Sequence, residues 1–259
     1  MAEASKEMTF WDHLDVLRGG LIRSLLALAA VSVVLFFFKS FIFDGIILAP
    51  TRSDFILYRL LGIDVSLDII NIDVTAQFIT HMKVTFICAV VLCCPYLIFE
   101  IWRFIAPALY KQEKRAVGGA FLFASGLFYA GVLVGYFVVL PLMVNFFQGY
   151  KVSEAVHNSI SLTSYMSTVY STVLLFGLVF EFPVLIALLS KLGLVTKKML
   201  RRGWRIAVVS VVTLAALITP SGDPFSLCVV SVPLFLLYLL SVAICKDAPQ
   251  EIEEEVAAV

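Results

Sequence analysis

The sequence predicts an all-α polytopic membrane protein with six transmembrane helices, the last two short and both termini cytoplasmic. Of its 259 residues 61% are hydrophobic and 15% charged, and the mean hydropathy is +1.00, which leaves too little polar surface to cover a soluble globule. The apolar residues gather into runs near the ~20 residues that a helix needs to cross a hydrocarbon core of about 30 Å. Lysine and arginine concentrate in alternate connections between those runs.

Residues 1–20 read as an amphipathic segment in the cytoplasmic interface. Phe10, Leu14 and Leu17 share a helical stripe with Trp11 beside them, and the charges lie elsewhere. The start carries Glu3, Lys6 and Glu7 instead of a basic region before a small-residue cleavage site, so no removed signal peptide is expected. Residues 21–245 are expected to form the membrane domain, with spans at 21–43, 76–99, 116–147, 162–190, 204–219 and 225–244. In the second span Pro95, after Cys93 and Cys94, removes one backbone hydrogen bond and bends the helix. His81, Lys83 and Glu100 flank that span as interfacial side chains, Lys83 snorkelling. The third run is long enough to tilt or project. The fifth, of about 16 residues, reaches only ~24 Å, so it pairs with the sixth as a short hairpin. The breakers Thr219-Pro220-Ser221-Gly222-Asp223-Pro224 turn that hairpin. Residues 246–259, with Glu251, Glu253, Glu254 and Glu255, read as a solvated, disordered cytoplasmic tail.

Basic residues in short loops stay on the cytoplasmic side. Arg18 and Arg23, then Arg103, Lys111, Lys114 and Arg115, then Lys191 to Arg205, and finally Lys246 mark one side. The other side holds Lys39, Arg52, Arg59 and Lys151, with Asp44, Asp54, Asp64, Asp68 and Asp73 making its first loop acidic. The 19 basic and 19 acidic residues balance, which argues against a nucleic-acid partner. The five cysteines fall in apolar runs without metal-ligand spacing and read as buried small hydrophobes. There is no His-Glu-x-x-His site, no serine and histidine pair at catalytic depth and no Gly-rich phosphate loop. Neither an enzyme nor a cofactor is expected.

One loop stands out. Phe104-Ile105-Ala106-Pro107-Ala108-Leu109-Tyr110-Lys111-Gln112-Glu113-Lys114-Arg115 places a carboxylate among aromatic and basic side chains between two membrane-length runs. A partly shielded carboxylate there accepts a forked contact from a guanidinium that lysine cannot reproduce. Phe104 and Tyr110 can stack on guanidinium planes, and Pro107 limits the loop's freedom. The bland alternative is a solvated loop in which Glu113 pairs with Lys114 or Arg115.

That loop, together with Asp12-His13-Leu14-Asp15-Val16-Leu17-Arg18, Phe128-Tyr129, Gly135-Tyr136-Phe137, Phe180-Glu181-Phe182-Pro183 and Leu217-Ile218-Thr219-Pro220, resembles the TatC family, the multispanning subunits of twin-arginine protein translocases. The likeness runs from about residue 9 to 245, with the motifs in the family's order. It implies a receptor for signal peptides with paired arginines. It also implies assembly with single-span Tat subunits of the TatA and TatB type, self-association within the complex, and export of folded precursor proteins across the inner (cytoplasmic) membrane driven by the proton gradient. Glu113 matches the family's signal-recognition glutamate, with Phe104, Pro107, Tyr110, Leu17 and Arg18 around it. The family's second recognition glutamate falls at Val16 here, so Asp12, one turn back on the same face, or Asp15, rotated by about 100°, is expected to substitute.

Glu181 lies in an apolar run, where an ionised carboxylate needs water, a partner or a cavity. Its family counterpart lines a polar face that engages partner subunits, and Asp223 matches an aspartate of the outer turn, where a helix N-cap is the plainer role. Pro50, Tyr136 and Pro220 match architectural positions. The competing function is a secondary transporter with Glu181 in its ion or proton pathway. Transporters of that kind often show repeated halves, and no internal repeat is present.

Overall fold

The computed structural model describes residues 10–63, 67–105, 114–153, 158–219 and 222–245. The fold is helical: α1 (Phe10–Phe36), a π-helical turn (Phe41–Ile47), a 3-10 turn (Ala49–Thr51), α2 (Ile56–Leu61), β1 (Ile69–Ile70) and α3 (Ala76–Ile105) come first. They are followed by α4 (Lys114–Val134), a second π-helical turn (Gly135–Val139), α5 (Leu140–Gly149), β2 (Ile160–Ser161), α6 (Leu162–Val179), α7 (Phe182–Lys191), α8 (Lys197–Arg202), α9 (Trp204–Ile218) and α10 (Pro224–Ile244). Among the described residues five stretches are long and apolar enough to cross a membrane: Leu14–Phe36, Ala76–Phe104, Phe121–Gly149, Leu162–Lys191 and Pro224–Ile244. Trp204–Ile218 is apolar but shorter, and its 15 residues rise only about 22 Å.

The contacts divide the chain into two units, residues 1–39 with 81–125, and residues 40–80 with 126–259. In the first, α1 runs unbroken from Phe10 to Phe36, so no chain break separates an interfacial segment from the first span. Gly19 and Gly20 weaken a helix by about 1 kcal/mol each without ending it, because backbone groups in lipid must bond within the helix. Only 6% of the Leu14–Phe36 stretch is buried. Its exposed Leu21, Leu25, Leu26 and Val33 make a surface suited to lipid. α3 likewise stays helical through Pro95.

In the second unit, prolines set the irregularities. Pro141 has no N–H for Phe137, and the preceding turn is π-helical. Pro183 has none for Val179, and the predicted fourth span is interrupted at Phe180–Glu181, where Val184 N–H turns back to the Glu181 carbonyl at 3.0 Å. α4 and α6 approach through glycine. A Cβ on Gly131 would stand 2.5 Å from the Phe176 carbonyl oxygen, and one on Gly177 would stand 2.8 Å from the Phe128 ring. The core of this unit collects Val139, Met143, Phe176, Ala215, Ile218, Val230, Leu234 and Leu237.

Tyrosine hydroxyls tie the loop after residue 40 to the helices of the same unit. Tyr58 donates to the carbonyls of Pro50 at 3.0 Å and Pro141 at 3.3 Å. Tyr165 donates to Ile47 at 2.7 Å and Tyr136 donates to Ile46. Burial pushes the Tyr58 hydroxyl well above its ordinary pKa, so it remains a donor. A parallel pair of two-residue strands, Ile69 opposite Ile160 and Ile70 opposite Ser161, joins two loops, a small departure from the all-helical expectation. Among the cysteines, Cys93, Cys94 and Cys245 are buried, but Cys228 is exposed on α10, correcting the expectation for that residue. In a span, an exposed face meets lipid, which accepts a small apolar side chain as readily as a core does.

Gly131→Ala should lower the stability of the detergent-solubilised protein by about 2 kcal/mol or more, through the clash of its new methyl with a backbone carbonyl. Gly126→Ala, where a Cβ meets nothing within 4 Å, should be neutral or stabilising. Thermal unfolding of the two variants side by side checks the pair.

Candidate functional site

The middle of α1 and the C-terminal part of α3 belong to the first unit, and an ion pair joins them. Arg23 Nε donates to Glu100 Oε1 and its Nη2 to Oε2, both at 2.8 Å. The Tyr96 hydroxyl, one turn earlier on α3, donates to Oε1 at 2.8 Å. Glu100 keeps 6% of its side-chain surface and Arg23 keeps 43%, so the carboxylate is covered and the guanidinium forms its lid. The forked geometry satisfies both oxygens at once. Sequence position suggests an interfacial side chain, and the structure adds that Glu100 is covered and paired: an unpaired buried carboxylate is costly, and Arg23 lies within reach on the adjacent helix. Glycine makes the room, since a Cβ on Gly20 would stand 3.3 Å from Glu100 Oε2 and one on Gly19 3.2 Å from Arg23 Nη1.

Thirteen residues along α1, about 20 Å, Phe36 stacks on His81 of α3, ring centroids 4.2 Å apart and planes inclined by 17°. His81 is buried by this contact, not interfacial as its sequence position suggests. Lys83 is exposed. α1 is thus fastened to α3 at its midpoint and at its last residue, contacts that fall near the two ends of α3, although little of the α1 surface is buried.

Several of the predicted recognition residues sit at this end of the unit. Asp15, Leu17 and Arg18 are exposed on α1, Val16 is half-buried beside them, and Asp12 lies in the first turns of the helix. Phe104 is half-buried in the last turn of α3. Pro107, Tyr110 and Glu113 lie outside the described residues, between α3 and the start of α4 at Lys114. Sequence reasoning missed Arg23 and Tyr96 as partners of Glu100. The available signal was one residue of each sign, Arg23 inside the first apolar run and Glu100 at the edge of the second.

The other predicted groups belong to the second unit. Glu181 is half-buried at the break between α6 and α7, and its Oε1 has no hydrogen-bond partner among the described residues. Asp223 caps α10, its Oδ1 accepting from Ser226 N–H at 2.8 Å, with Pro224 in the first turn. Pro50 is buried and its carbonyl accepts from Tyr58, and Tyr136 holds Ile46. Pro220 lies outside the described residues. No group of three histidine, cysteine or acidic residues capable of holding a metal occurs among the described residues.

Comparison with known proteins places these features in context. The model of the family described as Sec-independent protein translocase protein (TatC) matches residues 12–233. A Sec-independent protein translocase protein TatC from Blattabacterium sp. subsp. Periplaneta americana is 34% identical, the alignment covering 94% of this chain and 97% of the relative. One from Deinococcus radiodurans is 36% identical over 94% and 89%. Among solved structures, a crystal structure titled Twin Arginine Translocase Receptor TatC, in DDM, superposes with a TM-score of 0.77 at 30% identity, covering 90% of this chain and 99% of the other.

The Arg23–Glu100 pair predicts a specific order of stabilities. Arg23→Met, which strands a buried carboxylate, should lower the unfolding temperature more than Arg23→Met combined with Glu100→Met, because the double change removes both desolvated charges. Thermal unfolding in one detergent ranks the two, and a double variant less stable than the single would contradict the assignment.

Proposed function

As a member of the TatC family of Sec-independent protein translocase proteins, this chain is a multi-pass membrane component of the twin-arginine protein translocase, and we propose that it is the complex's signal-peptide receptor, with Glu113 as the carboxylate that reads the paired arginines. The observation that carries this reading is the family match over residues 12–233, which encloses the whole Phe104–Arg115 motif. A carboxylate held at a membrane edge accepts a guanidinium through two parallel bonds, and a lysine ammonium makes only a point contact there. Phe104, Pro107 and Tyr110 shape the loop. Leu17 and Arg18 flank it from α1, and Asp12 or Asp15 supplies the second carboxylate absent at Val16. The Arg23–Glu100 pair, one turn before Phe104, fixes the frame on which both segments are carried.

In this reading the chain crosses the inner membrane six times. Trp204–Ile218 makes the fifth crossing through locally thinned bilayer, and an even number of crossings returns both termini to the cytoplasm, in keeping with the lysine and arginine distribution. Single-span Tat subunits of the TatA and TatB type engage the half-buried Glu181 and the hairpin turn at Asp223. An unpartnered carboxylate oxygen at membrane depth favours a protein partner that brings a donor. Copies of the chain associate in the assembled complex. Folded precursors then cross at the expense of the proton gradient.

A photo-crosslinking probe at Gln112 should capture a precursor whose signal peptide carries Arg-Arg about tenfold more efficiently than one carrying Lys-Lys, and Glu113→Gln should abolish the difference. Joint Asp12→Ala and Asp15→Ala substitution should weaken capture further. Equal capture of both precursors by the unmodified chain would remove the receptor assignment, and undiminished capture in the double alanine variant would remove those two residues from the site.

A further inference from the structure

Outside the recognition end, an unassigned feature lies in the second unit, where residues of α7, α8, α9 and α10 line one groove. There an apolar groove of about 370 Å³ is walled by Phe182, Met199, Leu200, Ile206, Leu214 and Tyr238, among others. Tyr238 spends its hydroxyl on the Leu200 carbonyl, so the groove presents almost nothing polar. The short helix that supplies two of its wall residues is strongly cationic. Lys198, Arg201 and Arg202 on α8 are exposed, as is Arg205 at the start of α9. Arg205 also stands 5.8 Å over the ring of the exposed Trp204. From residue 182 to 245 the sequence has a single acid, Asp223. It lies at the opposite end of α9, about 20 Å away.

We propose that this groove and its cationic rim bind one anionic phospholipid, with an acyl chain along Ile206 and Leu214 and the phosphate among Arg201, Arg202 and Arg205. The observations select that occupant. Leu214 lies ten residues into α9, about 15 Å from its first residue, so whatever fills the groove is apolar over that length and anionic at its end. The acidic tail carries carboxylates but no comparable apolar stretch, and a protein helix is about 10 Å across, too wide for a groove of this volume. The short α9 adds a reason for the site to exist, because a thinned bilayer brings phosphate groups down to the level of α8. Each cation near an anionic headgroup strengthens binding about fivefold.

Trp204 reports on the site. The full-length chain carrying Trp11→Phe and Trp102→Phe, reconstituted in phosphatidylcholine nanodiscs, retains Trp204 as its one tryptophan. Phosphatidylglycerol brominated on its acyl chains should quench Trp204 at about a tenfold lower mole fraction than brominated phosphatidylcholine. Arg201→Gln with Arg202→Gln and Arg205→Gln should erase the difference. Raising the salt on the unsubstituted single-tryptophan chain should reduce it, a control that needs no altered fold. Equal quenching by the two lipids would overturn the proposal, whether a protein helix or a second copy of the chain covers the groove. So would a preference that survives neutralisation of the arginines, or one that emerges only after removal of residues 247–259, which would give the cations to the tail.

Discussion

A buried carboxylate must have a partner, and the pairing of Glu100 with Arg23 is the constraint on which the placement of α1 beside α3 rests. α1 buries little of itself, so packing alone does not define its place beside α3. The forked contact does, because a guanidinium meeting both oxygens of a carboxylate allows one rotation and one depth of each helix. Tyr96 adds a third bond to the same carboxylate, and Gly19 and Gly20 leave the space it needs. The stack of Phe36 on His81 repeats the fastening farther along the two helices. The last turn of α3 then continues from a determined position, Phe104 lying a single turn beyond Glu100.

The same solvent logic orders the second unit. Backbone groups freed by Pro141 and Pro183 are absorbed by a π-helical turn and by a return bond to the Glu181 carbonyl, since lipid offers no substitute donors. The interruption at Pro183 leaves Glu181 at the end of one helix and the beginning of the next, with a buried oxygen still able to accept a bond. Outside the spans, where the chain is irregular, Tyr58, Tyr136 and Tyr165 supply the donors that loop carbonyls lack. Glu181 and Asp223 therefore stand where helices break or begin, and the uninterrupted apolar faces are left exposed.

Five of the six expected spans were legible as membrane-length helices because length and hydropathy are properties of contiguous residues. The shortness of the fifth, at Trp204–Ile218, could be read the same way, as could the capping role open to Asp223, since Pro224 follows it and α10 begins there. The helix break at Phe180–Glu181 was less visible: the run from Leu162 to Lys191 is apolar throughout except at Glu181, and Pro95 and Pro233 show that a proline does not by itself end a helix. The pairing of Arg23 with Glu100 was illegible because it joins residues 77 apart and no local period connects them. Each taken alone resembles an interfacial charge. The motif around Glu113 was readable as chemistry and more specifically as family resemblance, while the replacement of the second glutamate by Val16 leaves Asp12 and Asp15 as neighbours that helical geometry alone does not rank.

The measurement that bears most directly on this account is the affinity of a twin-arginine signal peptide for the detergent-solubilised chain, compared among the unmodified protein, Glu100→Arg, and Glu100→Arg combined with Arg23→Glu. If the ion pair sets the frame for recognition, the single reversal loses binding and the exchanged pair recovers most of it, with Glu113 still required in both competent forms. Binding that survives the single reversal, or that stays lost in an exchanged pair of unimpaired thermal stability, would contradict the claim that this contact positions the receptor loop.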